Sequence, residues 1–257
     1  AKEHQLTVLV SISNPPDWVL TSYGPDPDLT TRLTADLVKR YRSTLLAIEI
    51  FPGANTHQGW GTQPDPQSYA RLIEKVYGDL QTIGPEITLV AAGLKPASSP
   101  QDIPDLDFLQ ALYTAGAAPY MPIIGLRLPK ISTDPGQPPT GSNPTSLRHY
   151  EAVRDIMLRN SHQNGLIWVT GFSWDNHSLS SPERQATWLE QAFLMMRAQL
   201  YIGAAFVQDL NPFTPDLQNH PGIIAIRHVT ALDSGRALEE VEHQLSKKSS
   251  KGLSKNH

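Results

Sequence analysis

The sequence contains no cysteine among its 257 residues. Disulfide bonds, thiolate catalysis and cysteine-ligated zinc sites are therefore excluded. No run of about eighteen apolar residues occurs, so no segment is predicted to span a membrane. Basic residues are not in excess, because the formal net charge is -4, and this balance gives no indication of a nucleic-acid partner.

Metal and serine-nucleophile chemistry is not supported by the spacing of the residues that could provide it. The histidines His57, His177 and His220 lie in three separate loops, and no H-E-x-x-H spacing occurs. Three serines lie near predicted strand ends, Ser11, Ser13 and Ser173. None of them lies in a G-x-S-x-G elbow. We therefore predict no bound metal, no cofactor and no serine-hydrolase site.

Short apolar runs alternate along the chain with segments of helical periodicity. The runs have strand length and are apolar almost throughout, as strands covered on both faces are. The predicted strands are Leu6–Ser13, Leu45–Phe51, Ile87–Ala92, Met121–Leu126, Leu166–Phe172 and Ile202–Val207. The predicted helices are Leu29–Tyr41, Pro66 to about Gly84, Asp105–Ala115, Ser146–Asn160 and Ser181 to Leu200. Such alternation predicts parallel strands joined by right-handed crossovers.

Two α/β architectures fit this alternation: an open doubly wound sheet and a (β/α)₈ barrel. No G-x-G-x-x-G turn follows a strand, which disfavours a dinucleotide-binding sheet. The long loops follow strands, as the Pro- and Gly-rich segment Arg127–Asn143 does, and barrels carry their functional loops at that end. The pattern therefore favours the barrel.

The C-terminal part gives a weaker pattern. Gly222–Val229 is compatible with a strand or a turn, and Asp233–Leu245 predicts a last helix. Residues 246–257 are rich in Lys and Ser and are predicted to be disordered.

Two motifs carry a resemblance to a known family. Residues 48–55 read Ile-Glu-Ile-Phe-Pro-Gly-Ala-Asn and are followed by Trp60, and residues 168–174 read Trp-Val-Thr-Gly-Phe-Ser-Trp. They resemble the fourth and seventh strands of clan A glycoside hydrolases, especially the β-xylosidase and α-L-iduronidase type. This resemblance implies that residues 1–245 form a (β/α)₈ barrel of glycoside hydrolase type. The chain would supply its third to eighth strands and lack its first two βα units.

The resemblance also places glycine at both catalytic positions. The family's acid/base matches Gly53 and its nucleophile matches Gly171, whereas retaining glycosidases need two carboxyl groups about 5–5.5 Å apart. The domain is therefore expected to be catalytically inactive and to bind carbohydrate or serve as a scaffold. Two alternatives remain, an active glycosidase with displaced carboxylates at Asp175 and Asp209, and a structural subunit of a larger assembly. Glu49 is expected to point inward as a buried, paired acid.

Sugar binding could survive the loss of the carboxylates. The tryptophans Trp18, Trp60 and Trp174 each follow a predicted strand, and aromatic faces can pack against the apolar faces of sugars. Capping of the barrel core is the alternative role of these tryptophans. Polar candidates at the same end of the strands are Asn55, His57, Gln58, Asn176 and His177.

A barrel that lacks two βα units would expose two parallel edges, at Leu6–Ser13 and Ile202–Val207. We expect a preceding polypeptide, a partner chain or a second copy to cover them. The resemblance further implies an extracellular or cell-surface protein of a bacterium.

Overall fold

The computed structural model describes residues 1–4, 6–97, 99–139, 145–174, 181–208 and 221–229. The chain divides into two compact units, one of residues 1–178 with 199–208 and one of residues 179–198 with 209–257. The predicted helix Asp233–Leu245 and the predicted disordered tail at 246–257 lie outside the described residues.

The first unit is built on a six-stranded parallel sheet flanked by helices. Its strands, and a small hairpin formed by β2 and β3, are β1 (Val8–Ile12), β2 (Leu20–Thr21), β3 (Gly24–Pro25), β4 (Leu45–Ile50), β5 (Thr88–Leu94), β6 (Ile123–Ile131), β7 (Leu166–Trp174) and β8 (Ile202–Val207). The sheet order is β1-β4-β5-β6-β7-β8, and every pairing is parallel. The helices of this unit are α1 (Pro27–Tyr41), α2 (His57–Trp60), α3 (Pro66–Ile83), α4 (Asp105–Thr114) and α5 (His149–Arg159). The predicted α/β class and parallel strand pairing are confirmed.

Local chemistry accounts for where the helices begin. The Asp26 side chain accepts from two backbone N–H groups of the first turn of α1, and the Asp65 side chain accepts from one, that of Gln67, in α3. Proline occupies the first helical position in both, where its missing N–H costs nothing. The start of α3 at Pro66 was predicted from the sequence because capping depends on near neighbours alone, whereas α1 begins two residues before the predicted Leu29.

One predicted loop boundary is wrong. Arg127 was assigned to a loop that runs to Asn143, but β6 continues through Ile131. The extension follows from pairing with β7, since Leu128 lies beside Phe172 and Ile131 beside Trp174 across a shift in register. Long-range pairing of this kind leaves no local signal in a segment that contains proline.

The sheet is strongly curled. In a flat sheet, β4 and β7 would lie about 14 Å apart, because three strand spacings separate them. The Oε1 atom of Glu49 on β4 nevertheless accepts a hydrogen bond of 2.5 Å from Thr170 Oγ1 on β7. Its Oε2 atom accepts one of 2.5 Å from Ser11 Oγ on β1. Only a sheet bent around a common interior brings these strands within reach of one carboxylate, so the doubly wound alternative is wrong.

An apolar layer fills the interior beneath this carboxylate. Every strand of the sheet contributes to it: Leu9, Ala47, Val90, Ile123, Leu166, Trp168 and Ala204. Trp168 is thus a core residue. The interior therefore consists of an apolar core and, nearer the carboxyl ends of the strands, a polar layer around Glu49.

The second unit contains α6 (Pro182–Arg197), which Ser181 caps through a hydrogen bond from the backbone N–H of Arg184. Residues 221–229 are helical, so the expectation of a strand or turn over Gly222–Val229 is wrong. Ala225 and Val229 are both buried, and a spacing of four residues places both on one face of a helix.

Candidate functional site

Left-handed backbone conformations cluster where three strands end. Phe51 and Gly53 follow β4, Ala92 and Gly93 lie at the end of β5, and Lys130 lies at the end of β6, all with positive φ. Such conformations cost free energy for residues other than glycine and accumulate at functional sites. The candidate site is therefore at the carboxyl ends of the strands.

Gly53 lies in the tight turn that follows β4. Its φ is 78°, its N–H donates to the Gly93 carbonyl at 2.8 Å, and its carbonyl accepts from Thr56 Oγ1 at 2.8 Å. A Cβ at this position would meet only ordinary contacts, the nearest at 3.4 Å from Thr56 Oγ1. The obstacle to a side chain is thus the positive φ and not a lack of room.

Gly171 lies on the inner face of the curled sheet. Its partner in the register is Arg127, whose guanidinium contacts Glu49 in the interior, and register partners on neighbouring strands share a face. Thr170 also points inward, so two consecutive residues face the interior where the register shifts beside Arg127. Irregularities of this kind redirect side chains next to active sites.

The space in front of Gly171 holds the side chain of Gln208. A Cβ on Gly171 would lie 2.5 Å from both Cδ and Nε2 of Gln208, so any side chain at 171 requires Gln208 to move. Sequence reasoning missed Gln208, although it directly follows the apolar run Ile202–Val207 and so stands at a strand end.

Glu49 is fully buried and paired, which confirms the expectation for this residue. Besides the two hydroxyl donors, Ser11 and Thr170, it forms an ion pair of 3.0 Å with Nη2 of Arg127. Arg127 could not be predicted as a partner of Glu49, because it fell in a predicted loop. This network occupies the interior of the curled sheet.

Asn55 was proposed to bind substrate, and the structure places it inside the turn that follows β4. It is fully buried, its Nδ2 donates to the carbonyls of Lys95 and Ile103, and its Oδ1 accepts from the Lys95 N–H. Both amide hydrogens are thus used in holding loops together. His57 is exposed and begins α2, with its N–H donating to Asp102.

The three tryptophans differ in exposure. Trp18 is 76% exposed, whereas Trp60 is 1% exposed and packs edge-on against Phe51 and Tyr69. Trp174 is 7% exposed, and its Nε1 donates to the Thr133 carbonyl. Trp60 and Trp174 therefore fit the alternative role of capping the core, and Trp18 is the one of the three with a free face.

Tyr69 connects the carboxyl ends of β4 and β5 through hydrogen bonds to its hydroxyl group. Its hydroxyl donates to the Ile50 carbonyl and accepts from the Ala92 N–H. Burial raises the pKa of Tyr69 above its ordinary value, so the phenol keeps its proton, and the bond to the Ile50 carbonyl, further into the alkaline range than an exposed tyrosine would. The two hydrogen bonds act on the backbone at Ala92 and directly before Phe51, two of the residues with positive φ.

Several candidates of the sequence lie outside the described residues: Asp175, Asn176, His177, Asp209 and His220. Within the described part of the chain, no group of three or more potential metal ligands occurs. Nor does any described helix combine the length and apolar character needed to cross a membrane.

No protein-family model and no curated protein matches the sequence significantly. Solved structures are similar in fold. A glucosidase from Croceicoccus marinus has a TM-score of 0.59 at 9% identity, covering 80% of this chain and 43% of that one. A GH128 curdlan-specific exo-β-1,3-glucanase from Blastomyces gilchristii has 0.51 at 13% identity, with 72% and 71% covered.

A bifunctional glucanase-xylanase from a metagenome library has a TM-score of 0.52 at 12% identity, covering 79% of this chain and 48% of that one. The chain thus spans less than half the length of two of these three proteins. At such identities the similarity establishes the fold alone. The chain has an α/β half-barrel of the type found in glycoside hydrolases.

Proposed function

We propose that the chain is a glycoside-hydrolase-like domain without hydrolytic activity, which binds carbohydrate or serves as a scaffold. The observation that carries the proposal is the absence of a usable carboxylate at the two matched positions. Gly53 and Gly171 have no side chains, and Glu49 is buried and engaged by three partners. Loss of general acid/base assistance alone costs about 10²–10⁴-fold in rate, and the nucleophile is lost as well.

Carbohydrate binding is supported by two aromatic side chains in one loop. Trp18 and Tyr23 lie between β1 and α1 and are both largely exposed. The loop is held in place because Trp60 Nε1 donates to the Tyr23 carbonyl. Rigid, exposed aromatic rings provide apolar area for a sugar face at low cost in conformational entropy.

Replacing Trp18 with alanine is expected to weaken oligosaccharide binding by about tenfold, because the ring supplies the largest apolar contact. Isothermal titration with laminaritriose, cellotriose and xylotriose would measure this. Tyr41→Ala is a matched control, since Tyr41 is also an exposed aromatic but ends α1, near the opposite end of the strands. Equal affinity of Trp18→Ala and wild type would contradict the proposed surface.

The alternative of an active glycosidase rests on Asp175 and Asp209, which lie outside the described residues. Hydrolysis of aryl glycosides by the wild type that disappears in Asp175→Ala or Asp209→Ala would establish it. A chain that neither hydrolyses nor binds any sugar of the panel would favour the third candidate, a structural subunit.

We also propose that two βα units complete the barrel, supplied by a preceding polypeptide, a partner chain or a second copy. All five residues of β1 are partly exposed, and so is much of β8, whereas the central β5 is almost fully buried. An apolar groove of about 520 Å³ lies between β1 and α1, lined among others by Val8, Val10 and Tyr41. Its position is where the helix of a neighbouring βα unit would pack.

The chain alone is therefore expected to associate or aggregate through its edges and not to run as a well-behaved monomer of 28.3 kDa. Size-exclusion chromatography with light scattering would measure the mass. Val10→Lys should reduce association, since a charge would stand at the edge strand, while Leu158→Lys on α5 serves as control. A stable wild-type monomer would contradict this proposal.

By family resemblance we further propose an extracellular or cell-surface location in a bacterium. Recovery of the native protein only from the cytoplasmic fraction would contradict it.

A further inference from the structure

Gln208 stands where a side chain at Gly171 would stand. A Cβ on Gly171 would lie 2.5 Å from Cδ and Nε2 of Gln208, so the amide occupies space that a side chain at 171 would need. The backbone N–H of Gln208 donates to the Phe172 carbonyl at 2.8 Å, which fixes the residue beside β7. Gln208 as a residue is partly exposed.

The direction of this amide is set by the sheet. Gly171 pairs with Arg127, which points into the interior toward Glu49, so the side-chain direction at 171 belongs to the inner face. The amide of Gln208 therefore lies on the inner side of the sheet at the carboxyl ends of β7 and β8. In glycoside-hydrolase-type barrels, ligands bind at this end.

The chemistry of the position is recognition and not attack. A primary amide offers two N–H donors and a carbonyl acceptor, but it carries no charge and is no nucleophile. Two neighbouring hydroxyl groups of a sugar ring each donate and accept, so they match both ends of the amide. A carboxylate could only accept.

The described charge pair at the register position of Gly171 favours a neutral sugar. Arg127 is the register partner of Gly171, with 25% of its side chain exposed, and its guanidinium pairs with Glu49 at 3.0 Å. A ligand carboxylate would therefore compete with Glu49 for the Arg127 guanidinium. Glu49 is buried and also accepts hydrogen bonds from two hydroxyl groups, those of Ser11 and Thr170.

We infer that Gln208 determines ligand specificity, with its amide hydrogen-bonding a pair of adjacent hydroxyl groups of a neutral sugar ring. This rests on the proposed carbohydrate-binding function. The amide thus takes the place of the missing side chain in contacting the sugar.

Titration of the full chain with laminaritriose, cellotriose and xylotriose tests the inference. Gln208→Ala should weaken the tightest of these interactions by about tenfold, and Gln208→Glu, which loses both donors, should weaken it comparably. Gln81→Ala is the control, because Gln81 is an exposed glutamine on the outer helix α3. Thermal melts of the variants should match the wild type, since Gln208 lies at a sheet edge.

The outcomes separate the two proposals. Sugar binding that Trp18→Ala weakens and Gln208→Ala leaves unchanged would overturn the role of Gln208 and keep the binding function. Absence of any binding by the wild type would overturn both. Tighter binding of a trimer of glucuronic acid than of the three neutral sugars would overturn the assignment to neutral rings.

Discussion

Replacing Glu49 with leucine is expected to lower the free energy of unfolding by about 3–5 kcal/mol, because the change removes one partner of a buried ion pair. Arg127 would keep its charge in the interior without a counter-charge, and Ser11 and Thr170 would lose their acceptor. The carboxylate also contacts the strands β1, β6 and β7, so its loss releases the contacts that bridge the curled sheet.

Urea denaturation would measure this change. Glu86→Leu is a suitable control, because the Glu86–Arg42 pair is exposed and such pairs contribute at most about 1 kcal/mol. The double variant Glu49→Leu/Arg127→Met should recover part of the loss, since replacing both members of a buried pair by apolar groups is often nearly neutral. A loss for Glu49→Leu no larger than that for Glu86→Leu would show that the interior network does not hold the sheet.

The Glu49 network shows how far the sequence could predict the fold. The strand period of two placed Glu49 inward, because that inference needs only residues of one strand. Its partner Arg127 could not be predicted, since β6 extends past the apolar run only by pairing with β7. The helix starts near Pro66 and Ser181 could be predicted because the caps that set them, Asp65 and Ser181, act within one turn.

The candidate site was predictable only in part. The two matched glycines follow from the motifs, but the position of Gln208 in front of Gly171 depends on the register shift between β7 and β8. The buried position of Asn55 likewise depends on hydrogen bonds to the carbonyl groups of Lys95 and Ile103, which are distant from Asn55 in the chain. Local periodicity contains no information on such loop-to-loop contacts.

The tryptophans give the sharpest separation between binding and stability. Replacing Trp60 with alanine is expected to lower the free energy of unfolding by about 3–5 kcal/mol, since a fully buried ring leaves a large cavity. Its ring packs at 5.9 Å from that of Phe51 and 5.6 Å from that of Tyr69. It also fits closely beneath the hairpin, because a Cβ on Gly24 would overlap it.

Trp18→Ala is the matched control for this loss, because it removes the same side chain from an exposed position in the adjoining loop. Its free energy of unfolding should stay within about 0.5 kcal/mol of the wild type. Urea denaturation and sugar titration of both variants should therefore give opposite results, with stability lost in Trp60→Ala and affinity lost in Trp18→Ala. If Trp18→Ala destabilises the chain as much as Trp60→Ala, then Trp18 belongs to the core and the exposed surface offers no platform for a sugar.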